Sequence, residues 1–173
     1  IPPNAQGVSA VEVIAVDARI VVAPPRASTA RYGDMAIHPY PVEMVSEWQL
    51  PDGTDVVVRP IRPEDANLEQ AFVQNLSPES RYFRFMQSLD KLSPLMLARF
   101  TQIDYDREMA LIAVIKEHTA DARFVGVARY VGNPDRRSRE FALTMADESQ
   151  RQGIGREMMK RLMAVARDRG MEV

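Results

Sequence analysis

Between a strand-length segment, Glu140-Phe141-Ala142-Leu143-Thr144-Met145-Ala146, and a long amphipathic stretch lies the polar loop Gln150-Arg151-Gln152-Gly153-Ile154-Gly155. A strand that runs through a short glycine-bearing loop into a helix has to pack that helix back onto its own sheet, which confines the chain to layered architectures of helix on sheet. Within residues 154–169, Ile154, Met158, Leu162, Val165 and Ala166 fall on one stripe, whereas Arg156, Lys160, Arg167 and Asp168 lie off it, so one side faces a sheet and the other water. The first amides of such a helix have no partners inside it and point at whatever stands before them. Glycine lets an anion come close to that backbone because no Cβ intervenes. The loop reads either as an anion site or as a plain turn from strand to helix. Neighbouring nucleotide signatures fit worse: no Lys-Ser/Thr follows Gly155, and no third glycine completes a dinucleotide fingerprint.

The preceding chain supplies the sheet. Residues 11–22 are dense in β-branched side chains between Gly7 and Pro24-Pro25, which reads as a strand or strand pair. Prolines 24, 25, 39, 41 and 51 then discourage helix and central strand alike, so residues 23–50 are expected to be a linker with one short extended piece at 36–40 and a domain boundary near residue 46. Asp52-Gly53 turns the chain into a strand at 55–62, where Pro60 marks an edge or a bulge. Pro63-Glu64-Asp65 opens a first helix, with its acids at the positive end of the dipole. Ser77-Pro78 and Ser93-Pro94 open two more, the last running to about residue 102. Residues 109–116 form a near-continuous apolar run, the mark of a strand buried on both faces, and 124–131 the next strand. In 138–146, Glu140, Ala142 and Thr144 alternate with Phe141, Leu143 and Met145, so one face is expected to be core. The order predicts an α/β (α+β) domain with helices on a mixed, mostly antiparallel sheet. Arg81, Arg84 and Arg99 read as solvated polar faces of their helices, with guidance of an acidic protein surface as the alternative.

Several function classes are set aside. A formal net charge of −2 offers no electrostatic reason to expect a nucleic-acid or anionic-membrane partner. No run reaches the roughly 20 apolar residues that a membrane-spanning helix needs. The absence of cysteine excludes thiol catalysis and a disulfide scaffold, and fits a cytoplasmic protein. The two histidines, His38 and His118, stand in a linker and a polar loop, so neither a histidine-based triad nor a metal site is expected. Ile1 followed by two prolines, and Gly170-Met171-Glu172-Val173 reading as a helix stop and the first steps of a strand, lead us to expect a fragment of a longer chain.

With these motifs in place, residues 55–173 resemble the GNAT superfamily of N-acetyltransferases, whose central motif is this strand, this loop and this helix. The resemblance implies acetyl-CoA as co-substrate, with pantetheine-pairing backbone at Met145, Ala146 and Asp147. It also implies pyrophosphate-binding amides at Gln150, Arg151, Gln152, Gly153, Ile154, Gly155 and Arg156. Leu76-Ser-Pro-Glu-Ser-Arg-Tyr-Phe-Arg-Phe85, Ile103-Asp-Tyr-Asp-Arg-Glu-Met-Ala-Leu111 and Arg139-Glu-Phe-Ala-Leu143 are similar to bacterial protein lysine acetyltransferases fused behind an ADP-forming acyl-CoA synthetase-like region. Ile1-Pro-Pro3, Gly7-Val8 and Ala15-Val-Asp-Ala-Arg19 resemble the last strands of the ATP-grasp domain of such synthetases, and Met35-Ala-Ile-His-Pro-Tyr-Pro41 resembles the connector after it. Pro2 departs from that pattern, which usually carries Asn there. The implied organisation is residues 1–45 as that domain's tail plus linker, without metal binding at Asp17, and 46–173 as a GNAT domain incomplete at its C-terminus. The family continues with a further strand, a helix that often carries a tyrosine acid and a final strand.

The branch places its general base at the position of Glu140, on the strand leading to the thioester-holding residues. The chemistry requires one, because free lysine titrates near 10.4 and only the neutral amine attacks a thioester. A solvated Glu140 paired with Arg123 or Arg139 is the plain alternative, and Glu108 is the reserve base. Asp104 and Asp106 are read as shaping the turn into the strand. The implied acceptor is a lysine of a folded protein, with acyl-CoA synthetases as the best-known targets in this branch. A small-molecule amine acceptor and a non-catalytic acyl-CoA-sensing module remain the other readings.

Overall fold

The computed structural model describes residues 38–132 and 139–170. The strand expected at 11–22, most of the linker, the extended piece's first residues, Asp17 and the chain ends lie outside them. A 3₁₀ turn at Val42–Met44 leads into β1 (Ser46–Gln49) and β2 (Asp55–Pro60). A second 3₁₀ turn, Pro63–Asp65, runs straight into α1 (Ala66–Asn75), followed by α2 (Pro78–Phe85) and α3 (Pro94–Thr101). Next come β3 (Glu108–Ile115), β4 (Arg123–Gly132), β5 (Arg139–Met145), a third 3₁₀ turn at Asp147–Ser149 and α4 (Ile154–Asp168). Each strand pairs antiparallel with its neighbour in chain order, giving the sheet β1-β2-β3-β4-β5 flanked by helices. The expected mostly antiparallel sheet is present, and within the described residues it is wholly so.

Both faces are covered. Ile154, Met158, Leu162 and Ala166 of α4 close one face over Met109, Leu111, Ala113 and Tyr130. Phe72, Val73 and Leu76 of the α1 region close the other over Ala110, Ile112, Val114 and Val127. That is why every residue of β3 is buried, as its unbroken apolar run predicts. Ser77 and Ser93 each accept a hydrogen bond from the amide three residues on, at Ser80 and Met96, so both serine-proline pairs start helices as expected.

Three expectations are corrected. The linker ends before residue 46, because Ser46–Gln49 pair with β2 from Ser46 opposite Val58 to Gln49 opposite Asp55. Pro60 sits neither in an edge strand nor at a bulge. It lies past the end of β1, where its missing N–H breaks no ladder bond, and its carbonyl accepts the Tyr40 hydroxyl at 3.0 Å. On β5 the alternation does not separate core from solvent, since Thr144 is buried while Leu143 is 41% exposed. Helices cover both faces near this strand, and its register rather than its polarity decides what each side chain meets.

A buried ion network anchors the entry to α1. Arg59 meets Asp65 through two bonds of 2.7 and 2.8 Å and Glu117 through one of 2.9 Å. Burial alone would lower the Arg59 pKa, but the two carboxylates outweigh it and raise it. Asp65 also accepts the Arg62 amide at 2.7 Å.

Candidate active site

The loop before α4 is built on left-handed backbone. Arg151 has φ 62° and Gly153, the residue that caps the helix, has φ 85°. Positive φ at successive turns aims consecutive amides into one concavity, an arrangement that binds anions. A Cβ on Gly153 would meet nothing within 4 Å, so this glycine is demanded by its torsion and not by space. Gly155 is the opposite case: its Cβ would stand 3.1 Å from Leu143 Cδ2 and 3.4 Å from Met145 Sδ, so the helix start lies close against β5. Glu157 N–H bonds the Gly153 carbonyl at 3.1 Å, which leaves the amides of Ile154, Gly155 and Arg156 in the unpaired first turn.

On the strand side, Ala146 N–H donates to the Val125 carbonyl at 2.9 Å. The register between β3 and β4 skips Val125 where Ala113 faces Gly126 and Val114 faces Phe124. Alternation along an antiparallel strand then turns the backbone of Met145 toward the outer side of β5, which is an edge strand among the described residues. Of the three positions expected to pair with a pantetheine arm, Ala146 therefore has its amide committed inside the sheet. Met145 has its backbone groups on the open side. Asp147 uses its carboxylate to hold α2, accepting Ser77 N–H at 2.7 Å, Ser77 Oγ–H at 3.0 Å and Ser80 Oγ–H at 2.7 Å. The Ser77 amide is the main reason its pKa lies below the ordinary carboxylate range.

Two adjoining hollows follow β5. One, of about 460 Å³, is walled by Gln150, Arg151, Gly153, Gly155 and Arg156 with Leu143 and Met145. The other, of about 480 Å³, is lined by Glu140, Thr144, Ser80, Phe83, Arg84 and Met86, and again by Leu143, Met145 and Gln150. The shared residues join them into one groove from the glycine loop to Glu140. An extended molecule with an anionic end fits it: unpaired amides and two arginines stand at one end, Gly155 keeps the wall open, and an apolar strand edge runs along its length. A larger cavity of about 750 Å³ near Tyr40 and Tyr105 holds neither Glu140 nor the loop. Its aromatic walls serve each other, with the tyrosine rings edge-on at 5.8 Å and Arg62 4.6 Å over Tyr40.

Glu140 is exposed and lies opposite Val131, which lies opposite Glu108 on β3, so both glutamates project from the same face of the sheet. Glu108 is buried and held by Arg99 at 2.7 and 2.9 Å. That pairing ties up the reserve base and leaves Glu140 as the carboxylate open to the groove. Arg123 bonds Glu148 at 2.7 Å, so it is not the partner of Glu140.

Sequence reasoning missed the wall opposite Glu140. Arg84 is half-buried over Phe85 and Phe100, at 5.1 and 5.4 Å, instead of solvated. Arg81 reaches the Leu89 and Asp90 carbonyls, and Arg99 pairs with Glu108. The one signal in that segment, the Ser77 cap, says where α2 begins but not what it docks on. His38 is half-buried in the wall of the large cavity, and His118 is exposed. Among the described residues no group of three or more His, Cys, Asp or Glu is placed to hold a metal, and no helix is long and apolar enough to cross a membrane.

Comparison with known proteins gives a consistent set of matches. A family model for acetyltransferases of the GNAT family matches residues 71–173. An acetyltransferase of Pseudomonas aeruginosa is 38% identical over 121 residues, which cover 70% of this chain and 64% of the relative. The chain thus spans about 64% of that relative's length. The crystal structure of the GNAT domain of S. lividans PAT superposes with a TM-score of 0.67 at 29% identity, covering 77% of each chain. A GNAT-family acetyltransferase from Streptococcus pneumoniae, at 15% identity and a TM-score of 0.53 over 67% of this chain and 69% of its own, shares the fold.

Proposed function

The chain belongs to the acetyltransferase (GNAT) family, and on that premise we propose that it is an N-acetyltransferase that passes an acetyl group from acetyl-CoA to the ε-amine of a protein lysine. Members of the family use acetyl-CoA as co-substrate, whose thioester supplies the activated acetyl group. The observation that carries the reading is the single groove joining the glycine loop to an exposed carboxylate along the edge of β5.

In this reading the amides from Gln150 through Arg156 take the pyrophosphate, helped by the start of α4. The outward backbone at Met145 receives the pantetheine arm and polarises the thioester carbonyl. Glu140 accepts the proton from the acceptor amine, directly or through one water. The new bond forms from the amine nitrogen to the acetyl carbon, the carbon–sulfur bond breaks, and the departing thiolate takes up a proton.

A protein acceptor is favoured over a small amine by the rim. Phe83, Met86 and Leu143 are 63, 72 and 41% exposed around the opening, an apolar border suited to another protein's surface. The resemblance of residues 1–45 to the tail of an acyl-CoA synthetase-like region points to acyl-CoA synthetases as targets. It also supports a fused parent protein with residues 46–173 as its transferase domain.

Incubation with labelled acetyl-CoA and a candidate acyl-CoA synthetase, followed by mass-spectrometric mapping of modified lysines, tests the reading. Glu140→Gln run alongside is expected to lose roughly 10²–10⁴-fold in rate while still binding acetyl-CoA. Full activity in that variant refutes the assigned base. Modification of free polyamines with no protein lysine modified favours the small-amine acceptor. Acetyl-CoA binding with no acceptor ever modified favours an acyl-CoA-sensing module.

A further inference from the structure

Two glycines make room for one thioether in the wall of the groove. Gly126 of β4 stands opposite Met145 of β5, and a Cβ on it would lie 2.7 Å from Met145 Sδ, 2.8 Å from Met145 Cε and 3.0 Å from Met158 Sδ. On Gly155 a Cβ would stand 3.4 and 3.5 Å from Met145 Sδ and Cγ. Neither glycine has a positive φ, so each supplies space and not torsion. The Met145 side chain therefore lies in a slot bounded by Gly126 and by Gly155 and Met158 of α4, packed against the core on that side of the sheet. It is half-buried, and its open side is the groove, since Met145 lines both hollows. The atoms that meet in the slot are thioether sulfur, hydrocarbon and glycine backbone, so it suits an apolar chain and offers nothing to a charged one.

Resting on the acetyl-transfer reading above, which seats the thioester at the outward backbone of Met145, we propose that the Met145 side chain sets the acyl length. It fills the slot into which a longer acyl chain would extend, and so confines the co-substrate to acetyl-CoA among the straight-chain acyl-CoAs. A methionine side chain is flexible and gives way easily in an open core. Here the two glycines and Met158 close the other directions, and the space left for the thioether to move into is the groove that the longer chain would itself need. Truncation at Cβ empties the slot toward the groove. The transfer step stays the same with a longer chain: the amine nitrogen bonds the acyl carbonyl carbon, the carbon–sulfur bond breaks, and the thiolate leaves and takes up a proton.

Calorimetric titration of wild type and Met145→Ala with free CoA and with acetyl-, propionyl-, butyryl- and succinyl-CoA reads the slot without turnover. In parallel, kcat/KM is measured for the same thioesters with the candidate acyl-CoA synthetase as acceptor. Wild type is expected to prefer acetyl-CoA over butyryl-CoA. In Met145→Ala the butyryl-to-acetyl ratio is expected to rise in both readouts by about fourfold for each methylene that enters the slot, roughly fifteenfold in all. Succinyl-CoA, as long as butyryl-CoA but ending in a carboxylate, is expected to gain nothing. Gly126→Ala drives the thioether into the groove, so it should weaken acetyl-CoA more than free CoA, and Met145→Ala in the same chain should remove that effect. If Met145→Ala does not fold, Met145→Val takes its place, with the gain confined to propionyl-CoA. A wild type that takes butyryl-CoA as well as acetyl-CoA, an unmoved ratio in the variant, or an equal gain for succinyl-CoA overturns the proposal and leaves acetyl transfer standing. A wild type that binds no CoA species brings down the acetyl-transfer reading and this proposal together.

Discussion

Gly153→Ala isolates what the backbone alone contributes to the end of the groove proposed to take the pyrophosphate. Gly153 has φ 85° and caps α4, and an added Cβ finds open space within 4 Å, so no clash enters the balance. Left-handed backbone costs a residue with a Cβ about 1–2 kcal/mol. Alanine also restricts the unfolded chain, which returns about 0.4–1 kcal/mol. The net loss is therefore about 1 kcal/mol, and the site of its appearance is informative. If the loop holds its shape in the free protein, the melting temperature falls by about 2–4 °C and acetyl-CoA affinity is unchanged. If the loop relaxes, stability is kept, and binding must restore the strained torsion at about a fivefold rise in Kd. Thermal scans and calorimetric titration with acetyl-CoA measure the two parts, whose sum is fixed by the torsion. Gly153→Asn is expected to recover most of the loss, because asparagine tolerates this region. A sum indistinguishable from zero for alanine, or asparagine as harmful as alanine, refutes the reasoning.

Arg59→Met removes the cation shared by Asp65 and Glu117 and leaves two largely buried carboxylates facing each other. The expected loss is about 3–5 kcal/mol, read as a lower midpoint in urea with unchanged slope. At Asp147 the folded-state pKa is depressed, so its contribution to stability is present above the ordinary carboxylate value and disappears as pH falls through the lower folded value. Asp147→Asn is therefore expected to be less stable than wild type at neutral pH and to converge with it in acid; a gap that persists to the acid end would show that the carboxylate's charge is not what holds α2.

The elements that the sequence marks clearly are those whose cause is local. Ser77 and Ser93 cap their helices with their own hydroxyls, β3 is apolar because both faces are covered, and the stripe Ile154, Met158, Leu162 and Ala166 has only one face to bury. What the sequence hides depends on distant partners. β1 is four residues of mixed character, Ser46-Glu47-Trp48-Gln49, held by pairing to β2 and not by any pattern of its own. Glu140 and Glu108 look alike in the chain, and only the approach of Arg99 separates a structural carboxylate from an open one. Arg84 looks like a surface arginine until α2 is docked, a contact made by a carboxylate 70 residues from Ser77.

That docking has a consequence for motion. α2 contains no fully buried residue, its first turn rests on the Asp147 carboxylate, and it ends at Met86 in a left-handed turn, 72% exposed. β3, by contrast, buries all eight of its residues. Hydrogen exchange should accordingly proceed by local opening through α2 long before the central strands release their amides. Each opening removes one bank of the groove, Arg84 included, while the sheet and the glycine loop stand. On the proposed reading, the bank that would meet the acceptor is expected to open as a unit of its own, and could be remodelled without endangering the bank that would hold the coenzyme.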